Sequence, residues 1–510
     1  MGTNSIRLLV VRLNPNHSYT ILSRQKQQVR LGDGEFEEDE ITPEAMERAV
    51  VVARKFTDLA RTFNSEEFVA VATSAAREAS NQNELLHRIR LEAGLDIRVI
   101  SGREEARLIY LGVASGTHLG TRQGFFIDIG GGSTEVAVGD AKEYQYLDSF
   151  RLGAIRLANL YLPPGDTGPV SSERYRKIQQ HIRNAIIHSL PRIKAKTIDC
   201  AIGSSGTILN LAEIAHKALH PAAPASDLAL SYKDLKKVVE LLSSLPLEQR
   251  KKVPGINPER ADIIIAGAAV LDTFMKELSL DSISVTGRGL QDGLLVDYLS
   301  RMDSFPMLGE LSSRQRSVLQ LGRSCGINEV HARTVTSLVL EMFDSAKHLG
   351  IHQFGDATRE LLEYATFLHD IGSFISYTNH HAHSYYIIRN SELLGFDQKE
   401  VSFMANLARF HRKKAPKKKD PEIATFDSRE REMLRMLATF IRIGESLDRS
   451  HAALVQHVRF VRVERDTVHL EILARGDCQL EIWGIENERK AFLKVFGRAL
   501  TFSMVDAGTG

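Results

Sequence analysis

The segment Phe125-Phe126-Ile127-Asp128-Ile129-Gly130-Gly131-Gly132-Ser133-Thr134-Glu135 leaves this chain few ways to fold. An apolar run ends beside a carboxylate, breaks at three glycines and resumes over Thr134–Val138. That pattern reads as strand, tight turn, strand. A carboxylate at the end of an apolar strand is poorly tolerated without a partner. A divalent cation, held by the carboxylate and by phosphate oxygens, would supply one. Glu135 returns toward the same place from the second strand. The glycines let the backbone approach a phosphate closely, and their N–H groups, with Ser133, can donate to its oxygens. A turn carboxylate bonded to backbone amides would explain Asp128 alone, but less readily the whole run.

A weak internal repeat strengthens the phosphate reading. Gly2-Thr3-Asn4-Ser5 leads into the apolar run Ile6–Leu13, as Gly130-Gly131-Gly132-Ser133 leads into Thr134–Val138. Aligned on their serines, both are small-residue turns opening a strand, which is what a duplicated phosphate-clamping fold needs. In this alignment Met1 matches Ile129, so the counterpart of Asp128 falls just before residue 1. The expectation is an upstream strand ending in Asp-x-Gly, with x at the Met1 position. Without it, Gly2–Ser5 would hang from a free chain end.

The surrounding chain reads as mixed α/β up to about Asp303. Pro43–Phe63 has the periodicity of a helix, with Thr42 as N-cap and Pro43 at its first position. Strand-like runs occur at Phe68–Thr73, Ile97–Ile100 and Gly124–Ile129, with another near Thr197–Ile202, and a helix is expected near Ser171–Ile187. Helical patterns then dominate to about Ser450. The tail offers strands at Val458–Val463 and Thr467–Leu473 and a helix near Glu486–Arg498. Four units are expected: α/β lobes over 1–122 and 123–302, a helical domain over 303–455 and a small α+β domain over 456–510. A net charge of +1 gives no global field to select a partner, so polyanions must be met by local clusters. Cys200, Cys325 and Cys478 lie far apart, which fits a reducing compartment. No apolar run approaches a membrane span and no signal-peptide pattern opens the sequence, so the cytoplasm is expected.

Further motifs carry a family resemblance. They are Ala72-Thr73-Ser74-Ala75-Ala76-Arg77-Glu78-Ala79, Ile100-Ser101-Gly102-Arg103-Glu104-Glu105-Ala106 and Gly203-Ser204-Ser205-Gly206-Thr207. With the two glycine turns, they make the chain resemble the exopolyphosphatase/guanosine pentaphosphate phosphohydrolase (Ppx/GppA) family, in its long form with a helical HD-type domain. The resemblance implies an actin-like (ribonuclease H-like) pair of lobes with the active site in the cleft between them. It implies Glu105 as the base that activates water, a choice that helical periodicity does not make over Glu104. It matches Asp128 and Glu135 to magnesium-associated carboxylates, and Arg77 to a basic residue facing the substrate phosphates. Asn4, Ser5, Gly131, Gly132, Ser133 and Thr134, with the turn Ser204, Ser205, Gly206 and Thr207, would bind phosphates. It suggests a homodimer. The segment Gly289-Leu290-Gln291-Asp292-Gly293 departs from relatives, which usually carry Arg then Glu, so no charge contact is expected at Gln291.

A second constellation lies in the helical part. His331, the pair His369-Asp370 and Asp448 all fall on core-facing helical stripes, the pattern of an HD metal site. His380, His381, His383 and His411 are additional nitrogen ligands between them, with His381 and His411 the next choices for a second metal. Imidazole with carboxylate suits manganese, iron or zinc. The other reading is an HD fold that serves as a scaffold for dimer contacts. A basic run, Arg409–Lys419, carries seven Lys or Arg in eleven residues and reads either as a solvated loop or as a track for a polyanion. It lacks the interleaved aromatics of a nucleic-acid surface. The sequence favours hydrolysis of terminal phosphate from polyphosphate, with guanosine pentaphosphate as the close alternative. A kinase, a non-catalytic sensor of guanosine tetraphosphate, and a main activity in the HD-type domain are the other readings.

Overall fold

The structure is a computed structural model that describes residues 1–510 apart from 17, 34–38, 163–164, 221–228, 303–310, 392, 413–419, 424–425 and 507–510. The lysines of the basic run, Lys413 to Lys419, lie outside the described residues. The chain divides into two compact units, residues 1–13 with 19–313, and 14–18 with 314–510. Among the described residues, no helix is long and apolar enough to cross a membrane.

The first unit is built on a six-stranded sheet. Its strands are β5 (Gly124–Ile129), β6 (Thr134–Gly139), β7 (Tyr144–Phe150), β8 (Cys200–Ser204), β9 (Ala229–Ser231) and β10 (Ser282–Val285), in the order β7-β6-β5-β8-β10-β9. The first three form an antiparallel meander, and β8 and β10 then add parallel to β5. This is the strand order of an actin-like, ribonuclease H-like lobe. Strand alternation sorts the residues of β5 to opposite faces. Phe125, Ile127 and Ile129 join the core on one side with α6 (Ile264–Glu277). Phe126 faces the other way and packs under α2 (Gly102–Ala114), with Tyr110 edge-on to its ring at 5.1 Å.

Register across the sheet then fixes the site. Leu147, Ala137, Phe126 and Ile202 form one rung on the α2 face. Two residues further along each strand the next rung is Ser149, Glu135, Asp128 and Ser204. Helix α2 covers the apolar rung with Ile109, Tyr110 and Val113. Its first turn carries Glu105 and comes down at the polar rung. A Cβ on Gly102 would lie 2.5 Å from the Ser149 hydroxyl, so only glycine allows that approach.

The other lobe holds β1 (Ser5–Leu13) paired with β2 (Tyr19–Gln28), and β3 (Val71–Ala72) paired with β4 (Arg98–Val99). Helix α1 (Pro43–Thr62) starts as expected, with Thr42 accepting from the Ala45 amide and Pro43 at its first position. Helix α4 (Ser172–Ile186) also matches its expected range. The strand β2 escaped the sequence reading because YTILSRQKQQ is almost wholly polar or exposed. The turn Gly2–Ser5 does not hang free: Thr73 N–H donates to the Met1 carbonyl and Gly32 N–H to that of Thr3. Helix α7 (Leu290–Ser300) lies against α2 through glycines. A Cβ on Gly293 would come 1.7 Å from the Leu108 carbonyl, and one on Gly112 would come 2.2 Å from that of Gly289.

The second unit packs α8 (Glu329–His348), α9 (Asp356–Phe367), α10 (His380–Asn390), α11 (Gln398–Phe410) and α12 (Ser428–Leu447) with a three-stranded sheet. The sheet is β11 (Val455–Val463), β12 (Thr467–Ala474) and β13 (Ala499–Asp506), with α13 (Gln479–Phe496) crossing between parallel β12 and β13. One apolar core runs through both parts, from Val335 and Phe440 to Phe460, Ile472 and Phe492. The last helix begins before the expected Glu486, and β13 follows where no strand was expected.

Gly293→Ala should destabilise the first unit by about 1–3 kcal/mol, the usual cost of overpacking a close contact. Denaturant unfolding followed by fluorescence measures it. A neutral result would mean that the two helices can separate without loss.

Candidate active site

A cleft of about 1020 Å³ opens in the first unit, at the large end of the range for small-ligand sites. Both glycine turns line it, and both close with the same backbone bond: Gly2 N–H to the Ser5 carbonyl at 3.0 Å, and Gly130 N–H to the Ser133 carbonyl at 2.9 Å. The turns also touch, since a Cβ on Gly131 would lie 3.1 Å from Thr3. Their carbonyls are turned away and bonded. Those of Gly130 and Gly131 accept from Ala154, Ile155 and Arg156 at the start of α3 (Ala154–Tyr161), and that of Asn4 accepts from Val29 and Arg30. The amides of Gly131 and Gly132, like those of Thr3 and Asn4, have no backbone acceptor among the described residues. Paired donor arrays of this kind suit anions.

The third turn opens α5 (Ser205–Ile214), and Ser205, Gly206 and Thr207 line the cleft at the helix N-terminus, a place that favours phosphate. Ser205 sits at φ +89°, a conformation that costs energy for a residue with a side chain and that recurs where function demands it. Gly206 leaves room for the Arg260 guanidinium, which a Cβ there would meet at 2.3 Å.

The carboxylates sit on the polar rung and above it. Asp128 and Glu135 are direct cross-strand neighbours. Like charges so placed repel. Each receives a hydroxyl from the flanking strand, Ser204 to Asp128 and Ser149 to Glu135. Burial raises the pKa of Asp128, against the pull of Ser204, Arg7 and Arg260. Glu135 is raised well above the usual range, first by burial and then by the charge of Glu105. Glu105, 7% exposed, is raised by burial, while Arg77 at 3.1 Å opposes the shift. Asp128 and Glu135 are the carboxylates that could hold a divalent cation here.

Glu105 lines the cleft, whereas Glu104 is tied to Arg107 by two bonds of 2.8 Å, a distinction that periodicity could not make. Arg77 is engaged with Glu105 and with the Ile100 carbonyl. Thr134 is fully buried and gives its hydroxyl hydrogen to Leu152, and Ser204 gives its own to Asp128. Asn4 and Ser5 line the cleft, and Gln291 lines it as well.

Three cations that the sequence reading missed also line the cleft: Arg7, Lys26 and Arg260. Arg7 and Lys26 are direct neighbours across the β1–β2 hairpin. Among the described residues, none of the three is in an ion pair. Burial and the charges of Arg260 and Arg7 lower the Lys26 pKa, a sign that the group is short of counter-charge. Arg7, two residues after the first turn, was the available signal; Arg260 arrives only through folding.

In the second unit the ends of several helices converge. His331, His369, Asp370 and Glu445 form one group of close ligand atoms, and Asp370, His380 and His411 form another. His381 and Asp448 stand outside both groups. Asp448 instead holds His331 Nδ1 at 2.7 Å. Glu445 was not anticipated, and His380, expected as one of the additional ligands, takes the place given to His381.

Paired glycine turns, a carboxylate rung and unpaired cations define a phosphate-handling cleft on an actin-like fold. The chain belongs to the Ppx/GppA phosphatase family: the model of that family matches residues 9–302, and that of its domain III matches 313–488. Among solved structures, it is similar to an exopolyphosphatase from Cytophaga hutchinsonii, with 28% identity and a TM-score of 0.55 over 60% of this chain and 97% of that one. It is also similar to the Aquifex aeolicus member of the Ppx/GppA family, with 26% identity and a TM-score of 0.50 over 59% of this chain and 96% of that one.

With Glu105 as the base that the resemblance implies, activity would fall as pH drops through its pKa. Burial raises that of Glu105, so the acid limb of kcat should lie above the usual glutamate value of about 4.3. Arg77 holds the pKa down, so Arg77→Met should move the limb to higher pH. An unmoved limb in the pH–rate profile would separate Arg77 from the base.

Proposed function

We propose that this phosphohydrolase acts as an exopolyphosphatase, releasing orthophosphate from the end of inorganic polyphosphate. The observation that carries the substrate is the unpaired set Arg7, Lys26 and Arg260 beside the glycine turns, because a chain of repeating charges can use cations beyond the one phosphate that reacts. The amides of both turns and the start of α5 bind the terminal phosphate. Glu105 orients a water and takes its proton as the water oxygen bonds to phosphorus. The bridging bond to the next phosphate breaks, and its oxygen leaves with the electron pair on a chain one unit shorter. Positioning and charge stabilisation do most of such work. Magnesium held by Asp128 and Glu135 would supply charge neutralisation at the phosphate oxygens.

Phosphate release from polyphosphate and from guanosine pentaphosphate, assayed side by side, tests the substrate. The expected result is a higher kcat/KM for polyphosphate; preference for the nucleotide would replace this reading with the alternative. Glu105→Gln should lower kcat by about 10²–10⁴-fold with binding retained. Greater damage from Glu104→Gln would remove Glu105 from its role.

A further inference from the structure

The histidine cluster of the second unit has no part in the cleft chemistry. We infer that His331, His369, Asp370, Glu445, His380 and His411 form a two-metal centre for first-row divalent transition ions, with Asp370 shared between the metals.

The evidence is in how the rings are held. His369 Nδ1 lies 2.6 Å from the Thr366 carbonyl, His380 Nδ1 2.9 Å from that of Tyr377, and His411 Nδ1 2.6 Å from that of Ala408. A carbonyl only accepts, so each Nδ1 carries a proton and each ring turns its Nε2 inward. His331 is held in the same way by the Asp448 carboxylate at 2.7 Å. All four rings are at most 3% exposed. A histidine fixed through its far nitrogen by a carbonyl or a carboxylate is the usual support of a metal ligand.

The inward atoms then converge. His331 Nε2 and His369 Nε2 lie 3.1 and 3.0 Å from Glu445 Oε2, and His369 Nε2 is 3.8 Å from Asp370 Oδ1. On the other side, His380 Nε2 and His411 Nε2 face each other at 3.2 Å and lie 3.1 and 3.5 Å from the same Asp370 Oδ1. That oxygen is buried and makes no hydrogen bond. Imidazoles and carboxylates gathered this closely in a buried site need positive charge among them. A cation on each side of Asp370 supplies it. One side offers two imidazoles and two carboxylates, the other two imidazoles and the shared carboxylate, a donor set suited to manganese, iron or zinc rather than calcium or magnesium.

The backbone shows the same commitment. The ligands come from the start of α8, the end of α9, the first residue of α10, the end of α11 and the last turn of α12. Gly372, just past His369-Asp370, would put a Cβ 2.0 Å from the His380 carbonyl. Only glycine lets that loop bring Asp370 and His380 together.

The test uses the full chain, purified without a metal-affinity step, stripped with chelator and equilibrated with Mn(II) in excess magnesium, which occupies the cleft. The wild type should bind about two equivalents of Mn(II) and give an exchange-coupled resonance spectrum. His380→Gln with His411→Gln should bind about one equivalent without coupling, and Asp370→Ala should lose both. Asp448→Asn should keep the stoichiometry but weaken affinity by about 10–100-fold, as expected of a group that only supports a ligand. One equivalent or none in the wild type, or an uncoupled spectrum, overturns the proposal even if the variants fail to fold. Two equivalents retained by folded Asp370→Ala, as judged by circular dichroism, overturn it as well.

Discussion

Asp128 and Glu135 stand side by side on one rung of a buried sheet, and much of the cleft follows from making that pair tolerable. Antiparallel register places them opposite each other, and period-two alternation turns both toward α2. Serines on the outer strands satisfy one oxygen of each.

Close backbone approach is the second constraint. Gly102 against Ser149 brings Glu105 to the rung, Gly131 against Thr3 joins the two turns, and Gly206 against Arg260 sets a cation on the third. A Cβ at any of the three would force the facing side chain to shift. Such placement matters because small displacements of reacting groups are expensive in rate.

The second unit solves the same problem by different means. There the ligands sit at helix ends, where carbonyls hold His369 and His411 by their outer nitrogens. The two centres share no residues, and each is built within its own compact unit.

The strand-turn-strand motif, the capped start of α1 and the paired turns were legible in the sequence because each depends on neighbours within a few residues. So was the change from α/β to helical texture, since periodicity is local. The polar strand β2, the late strand β13 and the start of α13 were not, because partners distant in the chain stabilise them. Among site residues, the sequence offered Glu104 and Glu105 without choosing between them; only packing ties one to Arg107 and turns the other to the cleft. It likewise offered Asp448 as a ligand, where folding puts Glu445, one turn earlier on the same helix, against the histidines and leaves Asp448 behind His331. Local patterning determined which elements form and where chemistry-bearing residues cluster. Which atom faces which was decided by tertiary contacts, because a helix presents residues three or four apart on nearly the same face and only its neighbours select among them.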